Sequence, residues 1–385
     1  MPALSVLHIL RTIKERGVIS RTDLQQRTGL SWGTITNTTR ELLTRSLIRE
    51  EGAIQTKSGR KPVCLSINRD THVLAGVDIS PHVLRCVALN LSGEHLWFQE
   101  VPYDMALSPD QVLDRAAGMM EAALADAAVA GRECLGVGVA AQGSIDVAGG
   151  MMRFAPRMPG WINVPIRAHL EERIKAPVLL EHDPQCLALA ERWFGAATSA
   201  EDVLCILLSD GVGMGMLLGG EVFRGSEHMA GEFGHTTVEQ DGLPCACGDR
   251  GCIEAYCSVT AILEMISKNP ARTGALRDGD LTLEKALATA RGGDTIAVAA
   301  FERMGKYLGI GVANAIDLLN PSLVVLCGDL TVAADFFLPA MEEQTQKHAW
   351  KHSTRRTVIS SLGHRALAIG ACGVVLQKLF ESAPE

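Results

Sequence analysis

The 385-residue sequence has no uninterrupted apolar run of the roughly 18 residues a membrane-spanning helix needs. Its first residues, MPALSVLHILRTIKERG, place charges where a secretion signal would carry its apolar stretch. A cytoplasmic protein with no membrane partner is therefore expected. The sequence also has few grouped cysteines: eleven are scattered singly, apart from Cys245, Cys247, Cys252 and Cys257. In a reducing compartment such a group points to a metal before disulfides. Nor does it have the low hydrophobicity of a disordered chain, because apolar residues make up 47% and charged residues 21%. At about 150 residues per domain, the length predicts two or three domains with sizeable cores.

The charge is not evenly spread along the chain. Residues 1–66 hold 11 Lys and Arg against 5 Asp and Glu, leaving 25 against 39 in the remainder of a chain whose net charge is −8. A small basic head on a large acidic body is the footprint of a nucleic-acid-binding module joined to something that does not bind nucleic acid.

Within the head, residues 5–16 place Val6, Ile9, Leu10 and Ile13 at spacings of three and four, an amphipathic helix stopped by Gly17. Ser20 caps a second short helix that Gly29 ends, and Ser31 caps a third running through Ile35, Leu42 and Leu43 to Arg45. Three short helices with a tight turn before the third predict a helix-turn-helix. With Ser31 at its start, the third helix presents Trp32, Thr34, Thr36, Asn37, Thr38 and Arg40 to a major groove of double-stranded DNA. Two strand-like runs follow, and the loop between them carries Lys57, Arg60 and Lys61 for the phosphate backbone or the minor groove. The expected unit over 1–66 is a winged helix-turn-helix.

From Val73 the pattern changes to α/β layering. VLAGVDIS, VLRCVALNL and residues 94–101 read as strands, a long alanine-rich helix is expected over 109–130, and CLGVGVAA (134–141) and APVLLEHD (176–183) are further strands. A second such unit begins at DVLCILLS (202–209) and includes SLVVLCG (322–328). Gly305, Gly309 and Gly311 fall inside helical periodicity, which predicts close approach of another backbone.

The sharpest chemical signal is His235, nine residues, Cys245, one residue, Cys247, four residues, Cys252. One imidazole and three thiolates make a tetrahedral set suited to a structural Zn²⁺, and Gly248 and Gly251 supply the tight turns such a knuckle needs. Cys257 is expected to be a buried free thiol. Near this set stand Glu232 and Glu254, while Asp183 ends a strand, the position where open α/β sheets place ligand groups. Three carboxylates of this kind suit sugar hydroxyls, whose donors they would accept. Taken singly, each also reads as a solvated surface acid.

HMAGEFGHTTVEQDGLPCACGDRGCIEAYCS (228–258), with LEHDPQCLALAERWFG (180–195), resembles the ROK family of repressors, open-reading-frame proteins and sugar kinases. The resemblance runs from the winged head through LGHRALAIGACGVVL (362–376). It implies an α/β actin-like/hexokinase (ribonuclease H-like) fold with two lobes around a sugar cleft, residues 67–182 plus 364–385 forming one lobe and 183–363 the other. It further implies that Asp183 occupies the kinase base position, and that Glu232, His235 and Glu254 line the sugar, His235 also ligating zinc. His182 stands before Asp183, as in family repressors, where the kinases tend to have Asn.

ROK kinases carry a glycine-rich DxGGTK-type loop after the first strand for the phosphates of ATP. This chain has DISPHV from Asp78 to Val83, without either glycine, and Pro81 removes an N–H donor. In the second phosphate loop Asp210 adds a carboxylate that would repel phosphate. The expectation is a repressor of carbohydrate uptake or catabolism genes that senses a sugar or sugar phosphate, has lost catalysis, and binds a palindromic operator as a homodimer or tetramer. The competing reading is an ATP-dependent ROK sugar kinase with a DNA-binding head; a zinc-stabilised scaffold with no ligand is a third.

Overall fold

The computed structural model describes residues 3–51, 63–226, 228–272, 276, 281–350 and 356–381. It begins with α1 (Ala3–Arg16), which buries Val6, Leu7, Ile9, Leu10 and Ile13 and ends at Gly17. After β1 (Ile19–Ser20) comes α2 (Arg21–Thr28), where the Ser20 hydroxyl accepts the Asp23 N–H and Gly29 closes the helix in the left-handed region. In α3 (Trp32–Thr44) the Ser31 hydroxyl accepts the Thr34 N–H. β2 (Ile48–Glu51) and β3 (Cys64–Ile67) pair antiparallel, and β1 adds to the other edge of β3. Two residues carry no periodicity, so β1 had no signature in the sequence. The loop bearing Lys57, Arg60 and Lys61 lies outside the described residues.

The body continues with β4 (His72–Ser80), β5 (Val83–Asn90), β6 (His95–Pro102), α4 (Pro109–Ala125) and β7 (Glu133–Ala141). A small sheet of β8 (Ser144–Asp146), β9 (Met151–Phe154) and β10 (Ile162–Val164) follows, then α5 (Ile166–Glu171), β11 (Val178–His182) and α6 (Asp183–Phe194). α4 stops five residues short of the expected Ala130. Asp126 is extended there and its carboxylate accepts the Ala128 N–H, so a local side-chain turn overrides the helix propensity of the alanines.

The next stretch holds β12 (Val203–Leu208), β13 (Val212–Leu218), β14 (Glu221–Val222), α7 (Glu254–Cys257), α8 (Val259–Ser267) and α9 (Leu283–Arg291). It ends with α10 (Thr295–Leu319), β15 (Leu323–Cys327), α11 (Ala334–His348) and β16 (Arg356–Ile359), before α12 (Ala366–Glu381). The two five-stranded sheets have equivalent orders, β11-β7-β4-β5-β6 and β14-β13-β12-β15-β16. In each, the first strand is central, an antiparallel meander extends one side, and two later parallel strands extend the other.

The chain divides into two compact units, residues 1–194 with 367–385 and residues 195–366. The crossing therefore falls after α6, not before it at 182/183. The reason is packing: α6 lies so close to α12 that a methyl group at Gly370 would overlap the Cys186 carbonyl. The core of the first unit is built on Val77, Val137, Val139, Leu113, Met120 and Trp161, that of the second on Ile206, Phe301, Leu308, Val324, Leu326 and Phe337. In the second unit α10 meets α11 at Gly305 and Gly309, where a methyl group would collide with the carbonyls of Phe337 and Met341, the close approach their helical positions predict. Among the described residues no helix is long and apolar enough to cross a membrane.

Candidate metal and effector site

In the second unit β13 leads through a loop to a 3-10 turn at Phe233–His235, then to the cysteine loop and α7. Backbone pairing pins this loop: the Val238 N–H bonds the Gly251 carbonyl, the Ile253 N–H bonds the Thr236 carbonyl, and the Cys245 N–H bonds the Asp249 carbonyl. Gly251 is at φ +74 and has the Glu239 carbonyl where a side chain would be, so only glycine fits. The loop brings His235, Cys245, Cys247 and Cys252 together, with their ligand atoms all within 4.8 Å of one another. The Cys247 and Cys252 sulfurs are 3.8 Å apart, and the Cys245 sulfur lies 3.7 Å from His235 Nδ1. A tetrahedral ion with sulfur at about 2.3 Å separates its sulfurs by about 3.8 Å, the spacing of the Cys247 and Cys252 sulfurs, so the donor set suits a metal. Burial and the neighbouring thiols push Cys252 up to about 12, the behaviour of a thiol cluster that a cation would reverse. Cys257 stays outside the set, buried with its sulfur on the Met304 carbonyl.

His235 presents Nδ1 to the cysteines and Nε2 toward Glu232, whose Oε2 is 3.9 Å away. Glu232 is exposed, whereas Glu254 retains only 7% exposure, and its Oε2 accepts the Val212 N–H at 3.0 Å. Glu254 thus holds the start of β13 with one carboxylate oxygen, a role its sequence position did not reveal. Sequence reasoning also missed a polar stack beside the loop. Tyr256 and Tyr307 stack with centroids 3.8 Å apart, both hydroxyls donate to Glu239 Oε2, and the Tyr256 oxygen accepts the Leu243 N–H. These hydrogen bonds hold Glu239 below the usual carboxylate range. No periodicity links residues from the loop, α7 and α10, so only the fold could reveal them.

His182 and Asp183 belong to the first unit, at the junction of β11 and α6. His182 Nδ1 is 3.0 Å from Gln185 Oε1, and its Nε2 is 3.4 Å from Asp183 Oδ1, so helix and neighbour both fix the ring.

The turns after the two central strands bear on phosphate chemistry. β4 and β5 pair through Ser80 and Val83, leaving a two-residue turn of Pro81 and His82, with His82 at φ +66. Its polar groups are engaged: the Tyr103 hydroxyl donates to the Ser80 carbonyl, the Tyr103 N–H to the His82 carbonyl, and the His82 N–H meets Met105 Sδ. Asp78, 1% exposed, accepts from Ser80 Oγ at 2.6 Å and pairs with Arg85 at 3.1 Å, and Arg85 also binds Glu100 at 2.6 Å. In the second unit three residues, Ser209 to Gly211, join β12 to β13, and the Ser209 hydroxyl donates to Asp329.

In the head, Trp32 is 50% exposed, Ser31, Asn37 and Arg40 are exposed, and Thr34 and Thr36 are half-buried. Thr38 is fully buried, contrary to its expected place on the outer face. It lies three residues beyond Ile35, and that spacing returns it to the core side of α3.

Residues 74–378 match the family model described as ROK family. The DNA-binding transcriptional dual regulator NagC of Escherichia coli (strain K12) is 31% identical over 97% of this chain and 95% of its own. A putative xylose repressor of Caldicellulosiruptor sp. is 28% identical over 97% and 95%. Among solved structures, a ROK family transcriptional regulator, homolog of the E. coli MLC protein, superposes with a TM-score of 0.81 over 98% of this chain and 96% of that one at 24% identity. A ROK family glucokinase from Streptomyces griseus, in complex with glucose and AMPPNP, gives 0.70 over 79% and 99% at 27% identity. These similarities span the cysteine loop, the duplicated sheet and the returning helix α12, and the chain is a member of the ROK family.

Proposed function

We propose that this protein is a sugar-responsive, DNA-binding repressor of carbohydrate genes whose ROK body senses an effector without phosphorylating it. The observation that carries the reading is the closed turn after β4. ROK kinases resemble one another in a glycine-rich loop at this place, whose N–H groups face phosphate. Here the turn has two residues, one of them proline, and the strand's last carboxylate is buried against Arg85. Phosphoryl transfer rests on positioned charge, so a chain without that cradle has no means to hold ATP for turnover. Relatives named as a putative xylose repressor and as a DNA-binding transcriptional dual regulator, aligned over nearly their whole length, support the same reading.

In this proposal residues 1–66 form a winged helix-turn-helix. Ser31, Trp32, Thr34, Thr36, Asn37 and Arg40 contact the major groove, and Lys57, Arg60 and Lys61 of the wing contact the backbone or minor groove. The residues proposed to take effector hydroxyls are His182, Asp183, Glu232, His235 and Glu254. His235, Cys245, Cys247 and Cys252 hold Zn²⁺, which supplies no chemistry beyond fixing the loop that carries Glu232 and Glu254. A homodimer or tetramer reads a palindromic operator, and effector binding shifts the population of its DNA-binding form.

The test is fluorescence anisotropy on DNA from the protein's own upstream region, at fixed salt, with D-xylose, D-glucose, N-acetylglucosamine and their phosphates. Specific binding altered by one sugar is the expected result. Absence of specific binding, together with hexose-dependent ATP turnover above that of an Asp183→Asn control, would replace the repressor reading with the kinase one.

A further inference from the structure

The helix that begins at the proposed effector residues ends under the DNA-binding head. α6 has twelve residues, about 18 Å of helix. Asp183 opens it, and Trp193 and Phe194 close it, immediately before the chain passes into the second unit. Between them, residues 184–191 are buried without a break. α12 grips the helix backbone to backbone at Gly370, and Gly373 packs beside Leu189 and Trp193. A helix held in this way moves as a rod, because close-packed interiors transmit displacement instead of absorbing it.

Two cations of α1 rest on the rings at the end of that rod. The Arg11 guanidinium lies 6.0 Å from the centre of the Trp193 ring. The Lys14 ammonium lies 4.8 Å from that of Phe194 and donates to the Ser92 carbonyl at 2.9 Å. Phe194 in turn fills the space beside Gly93, where a methyl group would come within 2.5 Å of the ring. The apolar face of the same α1 packs against α2, α3 and β3, so the recognition helix follows α1. Burial pushes Lys14 down to about 8, partly offset by Glu15. The seated ammonium is therefore poorly solvated, which strengthens its contact with the ring, so a shift of the end of α6 carries Lys14 with it.

We propose that Arg11 and Lys14 on Trp193 and Phe194 form the joint through which effector occupancy at His182 and Asp183 reaches the DNA-binding head. They are positioning residues: they touch neither sugar nor DNA, and they set where α3 stands in each state. The proposal rests on the sugar-repressor reading above.

The test compares the wild-type protein, the R11A/K14A double variant and the conservative R11K/K14R variant. Operator affinity is measured by anisotropy with and without the sugars used above, and binding of the active sugar by calorimetry. Wild-type coupling of the ordinary size changes operator affinity about 5- to 150-fold. In R11A/K14A the sugar Kd should stay within about twofold of wild type while the sugar-dependent change in operator affinity falls below about twofold; R11K/K14R, which keeps a cation over each ring, should retain the direction of the wild-type response. A full sugar response in R11A/K14A would overturn the proposal. Loss of sugar binding in that variant would overturn it too, by making the contact part of the effector site's support. A wild-type protein that binds operator without any sugar response would sink the sensor reading, and the proposal with it, and the wild-type curves alone separate that failure from failure of the joint.

Discussion

The two units repeat one strand order but close the end of their central strand in different ways. In the first, β4 turns into β5 over two residues, and the groups that seal the turn, Arg85, Tyr103 and Ser80, come from the same meander. In the second, β12 turns into β13 over three residues, and the carboxylate that holds the start of β13 is Glu254, 42 residues away, just past the metal-ligand cluster. A closure made from neighbours forms whenever the hairpin forms. One that depends on a distant loop can answer to what that loop binds. The same topology thus yields an end closed by its own hairpin in one unit and an end held by a side chain from a distant segment in the other.

The comparison is open to attack from the metal side first. A Cys247→Ser variant, or chelation of the wild type, should lose one equivalent of zinc per chain and lower the melting midpoint of the second unit by about 10 °C. This follows because loss of a structural metal costs several kcal/mol and about 1 kcal/mol moves a unit of this size by 2–4 °C. Calorimetry with metal analysis checks both; full metal content in the variant would mean that the ligands are others.

Next in size is the first unit's ion pair. Replacing Arg85 by Met leaves the Asp78 carboxylate buried without its guanidinium partner, at an expected cost of about 3 kcal/mol in urea unfolding. A neutral outcome would show that the seal is not electrostatic.

The smallest effect sharpens the contrast. Glu254→Gln keeps an acceptor for the Val212 N–H but removes the charge, so stability should fall by only about 1 kcal/mol. The sugar-dependent change in operator binding should be lost while operator affinity itself is kept. Parallel loss of sugar response and operator affinity would assign Glu254 to structure alone.

Much of this was legible in the residues. Capping at Ser20 and Ser31 and the stop at Gly29 came from local chemistry, and β4, β5, β6, β7, β11, β12 and β15 came from apolar runs between turn signals, because such signals act over a few residues. The metal set was legible because its ligands share one short segment with glycine turns. Thr38 is polar yet faces the core, because helical phase, not polarity, sets its side of α3. α4 ended early because the Asp126 side chain competed for the backbone.

By itself, then, the sequence determined the longer helices and strands, the basic head, the histidine and cysteine set and the absence of phosphate-loop glycines. The tertiary structure alone decided that Arg85 covers Asp78, that Glu254 holds β13, that Tyr256 and Tyr307 share Glu239, and that α6 belongs with α12 and carries the head on its last two rings. Each of those is a pairing between residues distant in the chain or between side chains whose facing depends on register. A one-dimensional pattern specifies which side of an element is apolar, but what that side meets is set only when the elements pack.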